Sequence, residues 1–253
     1  MHKKTQGLVL RETSIRETDK LLTVLTRDEG KLTVLARGAK RKGSRLVSAS
    51  QLLVYSEMTL FEYKNRHSLD QAETIEVFGE VRSDVEMLSL ASYFAELAEL
   101  LSDEDCATPE ILSLVLNSMH ALGKLRKPQE LVKAVFELRL MALSGFEPLL
   151  DGCAVCGREP ETPFLNVKQG VLHCGECAEE AGEGISMPLD EGSLAAMRRV
   201  AYGDPRRLFS FFLKGEAMKR FADASEVFLL TQLERGFSTL DFYKKLISTK
   251  EMP

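Results

Sequence analysis

The chain has 253 residues, 44% of them hydrophobic and 28% charged, with a net charge of −5, no tryptophan and five cysteines. That mix excludes a disordered, collagenous or disulfide-stapled protein and suits two or three compact units with ordinary cores. No apolar run approaches the roughly 18 residues that span a bilayer, and "GLVL" near the start is too short for a signal peptide; a cytoplasmic protein with reduced thiols is expected.

Five short runs between residues 5 and 80 are rich in Val, Leu, Ile, Thr and aromatics: "GLVLRETSI", "KLLTVLT", "KLTVLAR", "MTLFEYK" and "TIEVF". Several alternate apolar with polar, which predicts strands. "RDEG" at 27–30 separates the second from the third, and Gly30 supplies the positive φ of a tight turn. Five strands in so short a span suit a small barrel. The OB-fold is one such architecture, with a face and loops that hold oligonucleotides; an SH3-like barrel is the alternative on strand count alone.

After the third strand comes "ARGAKRKGSR", residues 36–45, with five cations, no acid and two glycines. Residues 1–80 hold 14 Lys and Arg against 11 Asp and Glu, whereas 81–150 and 151–253 carry net charges of −5 and −3. The excess points to a polyanion partner for the first segment. A solvated charge run is the competing reading. Against it stand the missing acids, the barrel scaffold, and Gly38 and Gly43, which let the backbone approach a phosphate chain. The segment is expected to be a flexible loop or strand end whose Arg37, Lys40, Arg41, Lys42 and Arg45 contact nucleic acid. Lys64 and Arg66, in "EYKNRHS", would extend the same face. Tyr55, Phe61 and Tyr63 alternate along one strand, where outward rings would stack on bases; burial in the barrel is the favoured placement, as for most strand aromatics. Gly38 and Gly43 have the glycine spacing of a phosphate-binding P-loop, but the required Lys before Ser44 is missing.

Near residue 81 the period changes from two to three-and-four. "DVEMLSLASYFAELAELLSDED" is the first expected helix. "TPEILSLVLNSMHALGKL" follows, with Thr108 at the N-cap and Pro109 at the first helical position, and then "KPQELVKAVFELRLMALSGFEP", starting at Pro128. Helical character returns in "DEGSLAAMRRVAYG", "PRRLFSFFLKGEAMKRFADA" and "STLDFYKKLIS". The expected organisation is α+β and multidomain: an OB-fold DNA-binding domain over 1–80, an α-helical domain over 81–150 and 186–253, and an insert over 151–185.

That insert reads "CAVCGREPETPFLNVKQGVLHCGEC". Cys153 and Cys156 form one C-x-x-C and Cys174 and Cys177 another, with 17 residues between. Each pair on a tight turn aims two thiolates at one point, and two pairs complete a tetrahedral sulfur shell, the pattern of a structural zinc ribbon with one zinc per chain. Gly157 and Gly175 would give the turns their freedom, and "FLNVKQGVLHC" would form the hairpin. Redox C-x-x-C chemistry and an iron–sulfur cluster are the alternatives. His173 adjoins Cys174, but four cysteines make it unnecessary as a ligand. Cys106 has no partner in sequence and reads as a plain free thiol. No catalytic constellation is present: no H-E-x-x-H, no G-x-S-x-G, and four scattered histidines. A non-enzymatic protein is expected.

The run "TQGLVLRETSIRETDKLLTVLTRDEGKLTVLARGAKR", followed by a helical region with an embedded "CAVC…CGEC", resembles the RecO family of bacterial recombination mediators and DNA repair proteins over essentially the full chain. The resemblance implies an OB-fold that binds single- and double-stranded DNA and anneals complementary strands. It further implies work with RecR, contact with single-stranded DNA-binding protein, and help in loading RecA onto coated DNA during repair at the nucleoid. The family's basic surface falls on Arg37, Lys40, Arg41, Lys42 and Arg45. From the residues alone, a zinc-ribbon RNA-binding or transcription-associated factor is the alternative.

Overall fold

The computed structural model describes residues 1–104 and 106–251. The chain forms two compact units, one from Met1–Lys124 together with the C-terminal helix, the other from Leu125–Phe237.

In the first unit, strands β1 (His2–Ser14), β2 (Lys20–Thr26), β3 (Lys31–Ala36), β4 (Tyr55–Tyr63) and β5 (Arg66–Glu76) close into a barrel in the order β1-β2-β3-β5-β4. All neighbours are antiparallel except β3 and β5. A one-turn helix, α1 (Leu46–Ala49), lies in the connection from β3 to β4. This is the OB-type arrangement, and the SH3-like alternative falls away. The alternation read in the sequence fills the interior: Leu22 and Val24 of β2, Leu32, Val34 and Ala36 of β3, and Met58 and Leu60 of β4 meet in one buried cluster.

The fifth strand begins at Arg66, not near Thr74 as expected. Its first eight residues, "RHSLDQAE", are mostly polar because one face meets solvent, and only Leu69 is buried among them. Lys64 and Asn65 make the two-residue turn into it, Tyr63 pairing with Arg66 across the hairpin. Their φ values of 48° and 57° are both left-handed, the geometry that matches strand twist in such a turn.

Helices α2 (Gly79–Arg82), α3 (Val85–Leu101), α4 (Pro109–Gly123) and α8 (Ser238–Glu251) complete the unit. Asp84 caps α3, accepting from the amides of Glu86 and Met87 at 2.9 and 3.0 Å. Thr108 holds the expected N-cap position of α4, but its side chain accepts no capping hydrogen bond; Pro109 fixes the first turn instead.

The second unit holds α5 (Gln129–Leu143), a three-stranded sheet ordered β7 (Val171–Cys174), β6 (Pro163–Asn166) and β8 (Ser186–Pro188), then α6 (Glu191–Tyr202) and α7 (Gly215–Leu233). Asp190 and Ser193 close a reciprocal capping box on α6. Lys133 of α5 is buried between Glu137, at 2.9 Å, and Glu226 of α7, at 2.7 Å. The helix expected from Pro205 starts only at Gly215. Asp204 caps a single 3-10 turn over Pro205–Arg207, and Gly215 takes a φ of 59° that no continuous helix through it would allow. Among the described residues, no helix is long and apolar enough to cross a membrane.

Candidate nucleic-acid interface and metal centre

The basic segment leaves the end of β3. It is a chain of turns held to the barrel, not the loose finger that its glycines suggest. Gly38 and Gly43 take φ values of 64° and 80°. The amide of Arg41 donates to the Gly38 carbonyl, and that of Ser44 to the Arg41 carbonyl, both at 3.0 Å. Between the glycines Ala39 points inward and is 1% exposed, a peg in the barrel core beside Leu46. Burying that methyl faces its cationic neighbours outward: Arg37, Lys40, Arg41, Lys42 and Arg45 are all exposed. Among the described residues none of the five is ion-paired. A short helix does follow, at Leu46, but the missing lysine still excludes a P-loop.

The anchor is Asp19, in the turn between β1 and β2, a residue that sequence reasoning passed over. Its Oδ1 accepts from the Gly38 amide at 2.8 Å and from the Thr18 hydroxyl at 3.0 Å, and the Lys40 amide donates to the Thr18 carbonyl at 2.9 Å. The Gly38 amide, then the Thr18 hydroxyl and the charges of Arg16 and Arg41, outweigh burial and hold the Asp19 carboxyl below the usual range. The only sequence signal was its place as the second of two acids, Glu17 and Asp19, in the turn just before a strand. With the folded pKa depressed, the staple is fully present above the ordinary carboxylate pKa and lost as pH falls below about 4. Asp19→Ala is expected to speed amide hydrogen exchange at Gly38 and Lys40 by about ten-fold at neutral pH and to weaken DNA binding. Unchanged exchange at both amides would refute the anchoring role.

Lys64 and Arg66 are exposed as well. The parallel register of β3 and β5 sets His67 beside Val34 and so Arg66 beside Thr33, four residues before Arg37. That is about 13 Å of strand at 3.3 Å per residue. Lys64 sits in the hairpin turn beyond, its Nζ 5.4 Å from the Tyr63 ring centre. The outer face of β2 and β3 between these loops carries the cross-strand pairs Leu21 with Leu35 and Thr23 with Thr33, a strip without carboxylates. On β4 the favoured reading was wrong for two of three aromatics. Phe61 and Tyr63 are 41% and 61% exposed, because the inward positions belong to Met58 and Leu60. Tyr55 is half-buried and donates to Gln6 Oε1 at 2.8 Å.

In the second unit the two cysteine pairs converge as expected. The ligand sulfurs of Cys153, Cys156, Cys174 and Cys177 all lie within 4.8 Å of one another, Cys156 and Cys174 at 4.0 Å. A regular tetrahedron of 2.3 Å metal–sulfur bonds has an edge of about 3.8 Å, so the four residues fit a tetrahedral ion closely. Gly157 turns the first knuckle at φ 73°, its amide donating to the Cys153 carbonyl at 2.8 Å. Gly175 serves differently: its φ is not left-handed, but a Cβ there would meet Thr162 Oγ1 at 3.1 Å. The expected hairpin is β6 and β7, which pair Pro163 with Cys174. His173 is turned away from the sulfurs. Its ring stacks on Phe164, and its nitrogens meet Ser186 Oγ at 2.8 Å and the Cys174 carbonyl at 3.1 Å.

The thiols are divided in their readiness to ionise. Burial pushes Cys153 up, but backbone amides aimed at its sulfur, led by that of Cys156, bring it to about 6. The Arg158 amide and guanidinium hold Cys156 low. Cys177 is pushed up to about 12, first by its hydrogen bond to Cys174 and by burial, then by the other sulfurs. Four thiolates this close repel one another, and a divalent cation at their centre removes that repulsion. The exposed thiol of Cys106 takes no part in the cluster.

Comparison with known proteins agrees over nearly the whole chain. The family model described as "Recombination protein O N terminal" matches residues 1–78, and that described as "Recombination protein O C terminal" matches residues 82–241. The DNA repair protein RecO of Symbiobacterium thermophilum is 34% identical over 250 residues, covering 96% of this chain and 97% of that protein. That of Acetivibrio thermocellus is 31% identical over 246 residues, covering 96% of each. That of Heliobacterium modesticaldum reaches 37% over 212 residues, covering 81% and 76%.

Proposed function

Because the chain belongs to the RecO family of DNA repair proteins, we propose that it is a non-enzymatic recombination mediator that grips sugar–phosphate chains with Arg37, Lys40, Arg41, Lys42 and Arg45. Five exposed cations, none ion-paired among the described residues, on a segment pegged to an OB-type barrel, are the observation that carries this reading. Neutralising phosphate lowers the repulsion between two strands and releases condensed counterions, so the same surface favours both binding and annealing. Contacts to backbone position a strand without reading its sequence, as a mediator acting on any DNA requires. No nucleotide or covalent step is needed. Lys64 and Arg66 extend the contact along β5, and Phe61 and Tyr63 offer rings on which unpaired bases stack.

Zinc held by Cys153, Cys156, Cys174 and Cys177 has a structural role in this reading. Four protein ligands leave no position for substrate, and the ion ties two turns of a segment with few apolar residues. In the cell the protein works in the cytoplasm with RecR, engages single-stranded DNA-binding protein, and helps RecA onto DNA coated with it.

The test is annealing of complementary oligonucleotides precoated with single-stranded DNA-binding protein. Annealing should be accelerated by the wild-type chain and not by a variant lacking the five cations. Equal rates with and without protein would overturn the reading. Tighter binding to RNA than to DNA would favour an RNA-binding factor instead.

A further inference from the structure

A second concentration of positive charge lies in the other unit, in "RRVAYGDPRRLFSFFLK", residues 198–214. Five cations stand there against one acid, Asp204, and the Asp204 carboxylate is occupied by the Arg206 amide at 2.9 Å. Arg198 is committed to Glu159 through two 2.8 Å bonds, but Arg206, Arg207 and Lys214 are exposed and not ion-paired among the described residues. The segment from Leu208 to Lys214 is neither helix nor strand; Leu208 is buried, Phe209, Phe211 and Leu213 are half-buried, and Phe212 and Lys214 are exposed. Phe212 is 76% exposed, the highest exposure of any large apolar side chain in the described chain. Lys127 Nζ lies 3.9 Å from the centre of its ring. Arg199 lies over Phe211 at 5.5 Å and fixes the preceding turn through the Arg207 carbonyl and the Ser210 hydroxyl.

An exposed ring backed by an ammonium, in one short segment with two exposed guanidinium groups, offers what an unpaired base and its phosphates require. The ring takes the base by stacking and the cations take the backbone. An isolated apolar residue needs no such surroundings. We propose that this segment is a second single-stranded DNA contact, with Phe212 as the stacking platform and Arg206, Arg207 and Lys214 as phosphate contacts. The inference rests on the DNA-binding reading above and adds a subsite to it. A protein with one phosphate-gripping surface in each of two units can hold two strands at once, as annealing demands.

The absence of tryptophan makes the test direct, since Phe212→Trp creates a unique fluorophore at a solvent-facing position that folding does not need. The full chain carrying Phe212→Trp is titrated with a thymidine oligonucleotide, with anisotropy of the labelled oligonucleotide read in parallel. Saturable quenching of the indole, retained when the five cations of residues 37–45 are replaced, is the expected result. Phe212→Ala should weaken binding by about five-fold or more. Binding seen by anisotropy without any quenching would overturn the subsite and leave the barrel's role standing. No binding by either readout would overturn both. An indole that responds to an acidic peptide such as polyglutamate and not to the oligonucleotide would assign the patch to a protein tail and overturn the proposal.

Discussion

Replacing Arg37, Lys40, Arg41, Lys42 and Arg45 together by glutamine should lower affinity for single-stranded DNA by about three orders of magnitude at 0.1 M salt. Each single-strand phosphate contact contributes roughly 0.7 to the dependence of log K on log salt, so five contribute about 3.5 and their effect fades as salt nears 1 M. The fold should survive, because all five side chains are exposed and none is ion-paired among the described residues, and surface changes of this kind move stability little. Ala39, which pegs the segment in the core, and Asp19, which staples it, are untouched. Circular dichroism should be unchanged while anisotropy titration shows the loss. A well-folded variant that binds as tightly as wild type would remove the segment from the interface.

Removing the metal should have the largest effect on the second unit. The insert spans 35 residues from 151 to 185, too few to build a sufficient core unaided. Its buried apolar side chains are few, chiefly Leu165, Val167 and Leu172 with the sulfurs of Cys153 and Cys174. Binding free energy at such a site is therefore folding free energy. Wild-type protein should carry about one zinc per chain by elemental analysis, and Cys174→Ser essentially none. The variant's first unfolding midpoint should fall by roughly 10 °C or more, with the insert protease-sensitive. The barrel lies in the other unit, so its DNA contacts should persist. A metal-free chain that stays fully folded, or iron in place of zinc, would refute the structural zinc assignment.

Period-two patterning marked four of the five barrel strands because one face is buried and the other wet. It failed on β5, where the polar run "RHSLDQAE" pairs with β4 yet buries little beyond Leu69. The cysteine centre was fully legible, since a C-x-x-C pair encodes its own geometry within four residues. The basic segment was legible as charge but not as shape. Its glycines signal freedom, and what removes that freedom is non-local: a methyl in the barrel core and a carboxylate 19 residues upstream. Likewise nothing local shows that Phe61 and Tyr63 point outward, because strand phase is set by the partners Met58 and Leu60 meet across the barrel. The Phe212 segment was hidden by a false helix. Its composition suits one, and the Asp204 cap even starts a turn there, but the left-handed Gly215 bars a helix running through into α7.

The most direct measurement of the central claim is single-stranded DNA affinity against salt for wild type and the five-glutamine variant. The slopes of log K against log salt should differ by about 3.5, with the two lines converging toward 1 M. Parallel lines, or a wild-type affinity indifferent to salt, would contradict a charge-held backbone grip.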